Sequence, residues 1–260
     1  MHPLWSGVIG FGLVNIPVNL YSPASETTID LDFLHKKDHS PVRYARICKA
    51  EEKEIPYDDI IRGFQYQHGS YVELNDKDFE HANVKKSSMI DIKLFTDKED
   101  VDFIYAEKPY YLEPALKSEK SYALFREALQ QSGKIGIATF VMRTREHLAA
   151  ILPYKDVLVL DQLRFAHEIK PYTSLNIPKE PTISKKELAI ALELIKKMGG
   201  TFKPKQYHDT YAEEIAELIE KKIKGARPSH KGEKVKASNV KDLMALLKAS
   251  LEAQKPAARV

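Results

Sequence analysis

Apolar residues recur along the chain in two rhythms, and the change from one to the other divides it. Over residues 134–165 (KIGIATFVMRTREHLAAILPYKDVLVLDQLRF) three short apolar runs, 135–142, 147–152 and 157–165, are separated by the polar tetrads RTRE (143–146) and PYKD (153–156). Runs this short, rich in Val, Ile, Leu and Phe and punctuated by turn-forming residues, predict a β-meander. Arg143 and Arg145 stand two apart, so extended backbone through them places both guanidinium groups on one side of the sheet at its rim. Near the start, Val8, Phe11, Val14, Ile16, Val18 and Leu20 predict a strand ending near Tyr21. Gly7, Gly10 and Gly12 lie within it, but no third glycine opens a helix as a dinucleotide fingerprint requires. Close backbone packing or bulges in a strongly curved sheet account for them, and a curved antiparallel sheet points to a barrel.

Residues 58–106 continue as strands and turns, with a turn at Asn75-Asp76 and an acidic loop at 97–102. A helix is predicted over 118–131: Ser118 stands where an N-cap is needed, Tyr122, Phe125, Ala128 and Leu129 share a face, and Gly133 ends it. Pro171, Pro178 and Pro181 then break the pattern, and the chain turns helical. Ser184 and Glu187 form a capping box ahead of a stripe of Leu188, Ala191, Leu192 and Ile195, which Gly199-Gly200 closes. A second helix runs from about Asp209 to Lys222, with Tyr211, Ile215, Leu218 and Ile219 on one face. Residues 224–238 (KGARPSHKGEKVKAS) read as a flexible linker. Beyond it Val240, Leu243, Met244, Leu247 and Leu251 line one side of a last short helix that Ser238 can cap. A short amphipathic helix of this kind is marginal alone and suits docking to a protein partner. These elements predict a mixed α+β fold, mainly β: an antiparallel β-barrel core over 1–175, a helical arm over 176–224, and a flexible tail over 225–260 ending in the short helix.

Composition sharpens this picture in one respect. The net charge of +3 hides an asymmetry: residues 221–260 hold 11 Lys and Arg against 3 Asp and Glu, leaving 29 against 34 for residues 1–220. A basic tail on a slightly acidic body fits either a polyanion contact or simple solvation. No apolar run approaches the ~20 residues of a membrane span. The N-terminus lacks the basic region and cleavage site of a signal peptide, and the lone Cys48 fits a reducing cytosol. A cytoplasmic protein is expected.

The candidate chemistry is cationic. Over 34–49, Lys36, Lys37, Arg43, Arg46 and Lys49, with His35 and His39, face only Asp38, and Tyr44 lies among them. Long cationic arms with an aromatic neighbour suit sugar–phosphate contacts, though a solvated loop has the same composition. No P-loop, H-E-x-x-H motif, nucleophile elbow or paired C-x-x-C is present, so no catalytic residue, cofactor or metal site is assigned. His208-Asp209 has no serine or cysteine nucleophile at a recognisable motif, and helix capping explains it better. The acidic pairs Asp30/Asp32 and Asp100/Asp102 leave a metal-dependent nuclease on a β-barrel scaffold as an alternative. A dimer binding RNA or another polyanion through the basic strip is a third.

Several blocks together carry a resemblance. WSGVIGFGLVNIPVNLY (5–21), LHKKDHSPVRYARIC (34–48), IPYDDIIRGFQY (55–66), EKPYYLEP (107–114), YALFREAL (122–129) and GKIGIATFVMRTREHLA (133–149) come in sequence. YHDTYAEEIAELIEKK (207–222) and VKDLMALLKASLEA (240–253) follow them. In content and order these blocks resemble the bacterial, homodimeric branch of the Ku family, whose members bind DNA ends. The resemblance implies a non-enzymatic homodimer, nucleoid-associated in a bacterial cytoplasm, whose paired barrels and bridging segments form a ring threaded onto double-stranded DNA ends. It implies Lys36, Lys37, Arg43, Arg46, Arg143 and Arg145 as DNA-facing cations. It also implies recruitment of the ATP-dependent DNA ligase D through Val240, Leu243, Met244, Leu247 and Leu251, and an arm over 176–224 that embraces the partner subunit. Many relatives resemble C-x-x-C where this chain has Cys48 and Glu51, which makes a zinc site at this position improbable here.

Overall fold

A computed structural model of the chain describes residues 2–25, 29–75, 77–78, 88–143, 145–178, 183–225 and 243–253. It divides into two compact units: residues 1–27 with 32–174, and residues 28–31 with 175–260.

The first unit is built on a closed seven-stranded barrel in the order β1 (Trp5–Phe11), β2 (Val14–Tyr21), β6 (Ala106–Pro114), β9 (Val157–Leu163), β8 (Arg145–Tyr154), β7 (Lys134–Met142) and β5 (Met89–Asp97). Every neighbouring pair is antiparallel except the closing one, in which β1 runs parallel to β5. The expected all-antiparallel barrel is thus corrected at one seam. The reason is parity: strands that alternate in direction around a closed ring must be even in number, and seven strands leave one like-directed pair.

The opening segment is a hairpin rather than one strand. β1 and β2 pair from Trp5↔Leu20 to Phe11↔Val14, with Gly12 in the turn at φ 60°. Gly7, by contrast, marks a close approach, since a Cβ there would lie 2.4 Å from the Ser88 carbonyl oxygen and 2.2 Å from the Trp5 ring. The meander 134–163 forms as expected, with shorter turns than the polar tetrads suggest. Met142↔Arg145 and Tyr154↔Val157 close two hairpins, leaving two residues in each turn, and Arg143 and Lys155 take the left-handed conformation at φ 52° and 51°.

The meander is apolar without clean alternation because much of it is covered on both faces. Ala149, Ile151, Leu158, Leu160 and Phe140 join Ile9, Ile16, Val18, Leu20, Ile90 and Leu112 in the main core, whereas Ile135, Ala150 and Leu163 pack with Val101, Tyr105 and Leu152 in a second cluster. Helix α1 (Glu119–Ser132) adds Tyr122, Phe125 and Leu129 to the main core, while Ala128 stays exposed, and it ends at Gly133 in the left-handed conformation. Ser118 occupies the N-cap position but caps nothing. Buried, its hydroxyl instead shares its one proton between the Pro17 carbonyl at 2.8 Å and the Ala115 carbonyl at 2.7 Å, tying the helix entry to β2. The Tyr122 hydroxyl knits three elements: it donates to the Leu112 carbonyl of β6 and accepts the Leu158 amide of β9 at 2.7 Å. Burial raises its pKa, the expected cost of a phenol held in the core.

Between β2 and β5 the chain leaves the barrel. Residues 32–74 carry a two-stranded ribbon, β3 (Arg62–Gln67) with β4 (Ser70–Leu74), and two isolated bridges, Leu34↔Pro41 and Ile47↔Glu54.

In the second unit, α2 (Lys185–Met198) opens on the expected capping box: Ser184 Oγ accepts the Glu187 amide at 3.2 Å and the Glu187 carboxylate accepts the Ser184 amide at 2.8 Å. α3 (Thr210–Ile223) is capped by Asp209, which accepts the Ala212 amide at 3.0 Å, so capping is what the His208-Asp209 pair supplies. α4 (Leu243–Ala253) packs against α2.

Candidate nucleic-acid interface

The six cations expected to face DNA fall into two groups. Lys36 and Lys37 occupy a tight turn that Asp38 organises from within. Its carboxylate accepts the Ser40 hydroxyl at 2.7 Å, the Ser40 amide at 3.1 Å and His35 Nδ1 at 2.9 Å. The Ser40 hydroxyl foremost, then its amide and His35, hold the Asp38 carboxyl below its ordinary range. The one acid in the basic stretch is therefore consumed by the turn, and both lysines are exposed with no ion pair among the described residues.

Arg43 and Arg46 lie on the irregular segment between the bridge residues Pro41 and Ile47. Arg43 pairs with Glu54 at 3.2 Å while 84% exposed, and the Arg46 guanidinium sits 4.8 Å from the centre of the Tyr57 ring. An exposed pair of this kind contributes at most about 1 kcal/mol, so a phosphate can replace Glu54 at little cost. Stacking on Tyr57 restrains Arg46 without using its hydrogen-bond donors. Neither partner was foreseen, because each stands about eleven residues away and meets its arginine only through the Ile47↔Glu54 bridge.

Arg143 and Arg145 belong to the tip of the β7–β8 hairpin. They do not share a side by strand alternation: Arg143 is a turn residue with left-handed backbone, and Arg145 is the first residue of β8. The side-chain period of two breaks where the chain reverses. Arg143 is exposed and its charge partly offsets the rise that burial imposes on the Tyr110 phenol. Lys108 lies on the same strand as Tyr110, with Nζ 5.8 Å from that ring, and adds a cation that the chain order did not bring to notice. Arg145 pairs with Glu168.

The proposed docking stripe is only partly described. Residues 226–242, which include Val240 and most of the expected linker 224–238, lie outside the described residues, as does the Leu243 side chain. Met244, Leu247 and Leu251 are half-buried rather than exposed, because α4 lies on α2, where Lys197 Nζ also donates to the Leu251 carbonyl at 3.4 Å. The helix is therefore not isolated: it has a partner within its own chain.

Of the two acidic pairs, Asp100 and Asp102 perform local structural tasks. Asp102 accepts the Ile104 amide at 3.1 Å and Asp100 accepts the Thr96 hydroxyl. Among the described residues no group of three or more His, Cys, Asp and Glu is placed to hold a metal ion, and Cys48 is a free thiol. Among the same residues no helix is long and apolar enough to cross a membrane.

Comparison with known proteins agrees with the barrel fold. A family model described as the Ku70/Ku80 beta-barrel domain matches residues 10–190. A "Non-homologous end joining protein Ku" of Cupriavidus necator is 38% identical over 260 residues, covering 95% of this chain and 77% of that protein. One of Coxiella burnetii is 37% identical over 96% of this chain and 94% of its own length, and one of Bacillus subtilis 32% identical over 97% and 82%.

Proposed function

Because the chain belongs to the Ku family of non-homologous end joining proteins, we propose that it acts as a non-enzymatic homodimer whose two barrels and excursions close a ring around a double-stranded DNA end. The observation that carries this reading is the excursion over 32–74. Not one of these residues is buried, although they include Phe33, Val42, Tyr44, Ile47, Phe64, Tyr66 and Tyr71. A segment that buries nothing does not offset its own ordering entropy, and a patch of this extent marks an interaction surface. The same segment carries four of the six cations. A second copy covering the apolar residues would leave Lys36, Lys37, Arg43 and Arg46 to line the enclosed space.

Such a protein reads phosphates and shape rather than bases. Its preference for ends is topological, since a closed ring loads only where the duplex stops. Replacing Arg43 and Arg46 together with Ala should weaken binding about equally on every sequence. It should also lower the slope of log affinity against log salt by about 2, near 0.9 for each phosphate no longer neutralised. Titration of two unrelated duplexes over a range of salt reads both quantities. Unchanged affinity and slope would remove these residues from the interface.

The further step in this reading is recruitment of ligase D through the helix at 240–253. Deleting residues 239–260 should leave end binding intact and reduce stimulation of the ligase in an end-joining assay. Full stimulation by the shortened chain would place the docking site elsewhere.

A further inference from the structure

Within this reading, on which the inference rests, we propose that Glu168 is a positioning residue for the DNA contact: it clamps Arg145 in the orientation that meets a phosphate. The two oxygens of its carboxylate are divided. One accepts the Phe165 amide at 2.8 Å, and the other accepts Arg145 Nη2. The Phe165 amide first, then the charges of Arg145 and His167, hold the carboxyl below its ordinary range, so it is ionised at neutral pH. The anchor is itself anchored, because Phe165 and Glu168 bound the short 3₁₀ turn that follows β9.

The arginine, by contrast, is only partly engaged. Glu168 is 25% exposed at its side chain, but the Arg145 side chain is 66% exposed. A guanidinium has five N–H donors in a rigid fork, and this one gives one nitrogen to Glu168 while the rest of the group reaches solvent. Beside it lies a polar cavity of about 180 Å³ lined also by Glu107, Glu146, His147, Gln162 and Arg164, where Gln162 donates to Glu107 at 3.1 Å and Arg164 to the Ala106 carbonyl at 2.9 Å. The surrounding polar groups are thus partly satisfied by one another, and Arg145 is held at the rim of a preformed frame. An arginine already restricted in this way loses less side-chain entropy when a phosphate arrives. Glu168 gives up some favourable charge near the DNA and returns orientation.

The test is a double-mutant cycle on the full chain, read as affinity for a short linear duplex across a salt series, with E168Q, R145A, R145K and E168Q/R145A. Gln is isosteric and still accepts the Phe165 amide, so the turn is retained, and thermal melting reports that it is. E168Q and R145A should each weaken binding about fivefold or more and lower the salt slope by about 1, near 0.9 per phosphate, and the double variant should be no worse than R145A alone. R145K should not restore binding, since a lysine presents a point charge without the fork. Tighter binding by E168Q, or losses that add in the double variant, would overturn the positioning role. If R145A binds normally while the Arg43/Arg46 variant is weakened, the inference fails and the ring reading survives. If neither variant loses affinity, the ring reading fails with it.

Discussion

Protein loaded onto a linear duplex should remain on it through a high-salt wash once the ends are sealed. The same duplex presented as a closed circle from the outset should take up none. Phosphate binding weakens steeply with salt: a protein neutralising 6–10 phosphates loses on the order of 10³–10⁵ in affinity between 50 and 200 mM. A binder that merely lies on the DNA must therefore wash off the sealed circle as readily as off the linear form. Retention needs a closed path of protein around the helix, which on the proposed reading two copies of the excursion over 32–74 would complete. Cutting the sealed circle after the wash should release the protein. Equal binding to linear and circular forms, with full release in salt, would reduce this protein to an electrostatic binder without a ring.

The second large effect concerns the exposed apolar residues themselves. Phe33 is 68% exposed and meets Tyr44 edge-on at 6.3 Å between ring centres, and Phe64 is 61% exposed on β3. Placing charge at both, as Phe33→Asp with Phe64→Asp, should split the proposed dimer, because an ionised carboxylate enclosed in an interface costs several kcal/mol unless paired. Sedimentation should show a monomer, and end binding should fall by about a hundredfold or more, since each half then reaches half the phosphates and encloses nothing. The barrel should keep its melting transition, because neither residue belongs to its core. A variant that stays dimeric, or a monomer that binds ends as tightly as the parent, would show that these residues cover nothing.

RNA competing as well as linear duplex would favour the general polyanion binder. Mg²⁺-dependent loss of labelled DNA would favour the nuclease, whose carboxylates at 100 and 102 are already engaged by Thr96 and the Ile104 amide.

The residues foreseen at the interface were legible for what they are, not for how they are held. The cations of 34–49 stood out by density, and the hairpin arginines by their place between apolar runs. The strand period that would put Arg143 and Arg145 on one side does not apply, because the chain reverses between them. Likewise, the stripe at 240–251 has the spacing of a docking helix, yet α4 rests on α2, which no local pattern announces. Glu54, Tyr57 and Glu168 escaped notice for a common reason. Each owes its role to a neighbour brought by strand pairing, a bridge or chain reversal.

What the sequence by itself determined is therefore the set of features whose causes lie within a few residues. These are the apolar runs of the meander, the box of Ser184 and Glu187, the Asp209 cap, the glycine that ends α1, and the proline-rich break between strands and helices. Backbone hydrogen bonds and side-chain caps at short range impose these wherever the segment is placed. Only the tertiary structure decided which strands close the barrel and that the seam between β1 and β5 is parallel. It alone made Ser118 a tie to β2 rather than a cap, and set Arg145 against Glu168. Those outcomes depend on contacts between residues up to a hundred positions apart, whose energies arise only when the chain has closed on itself.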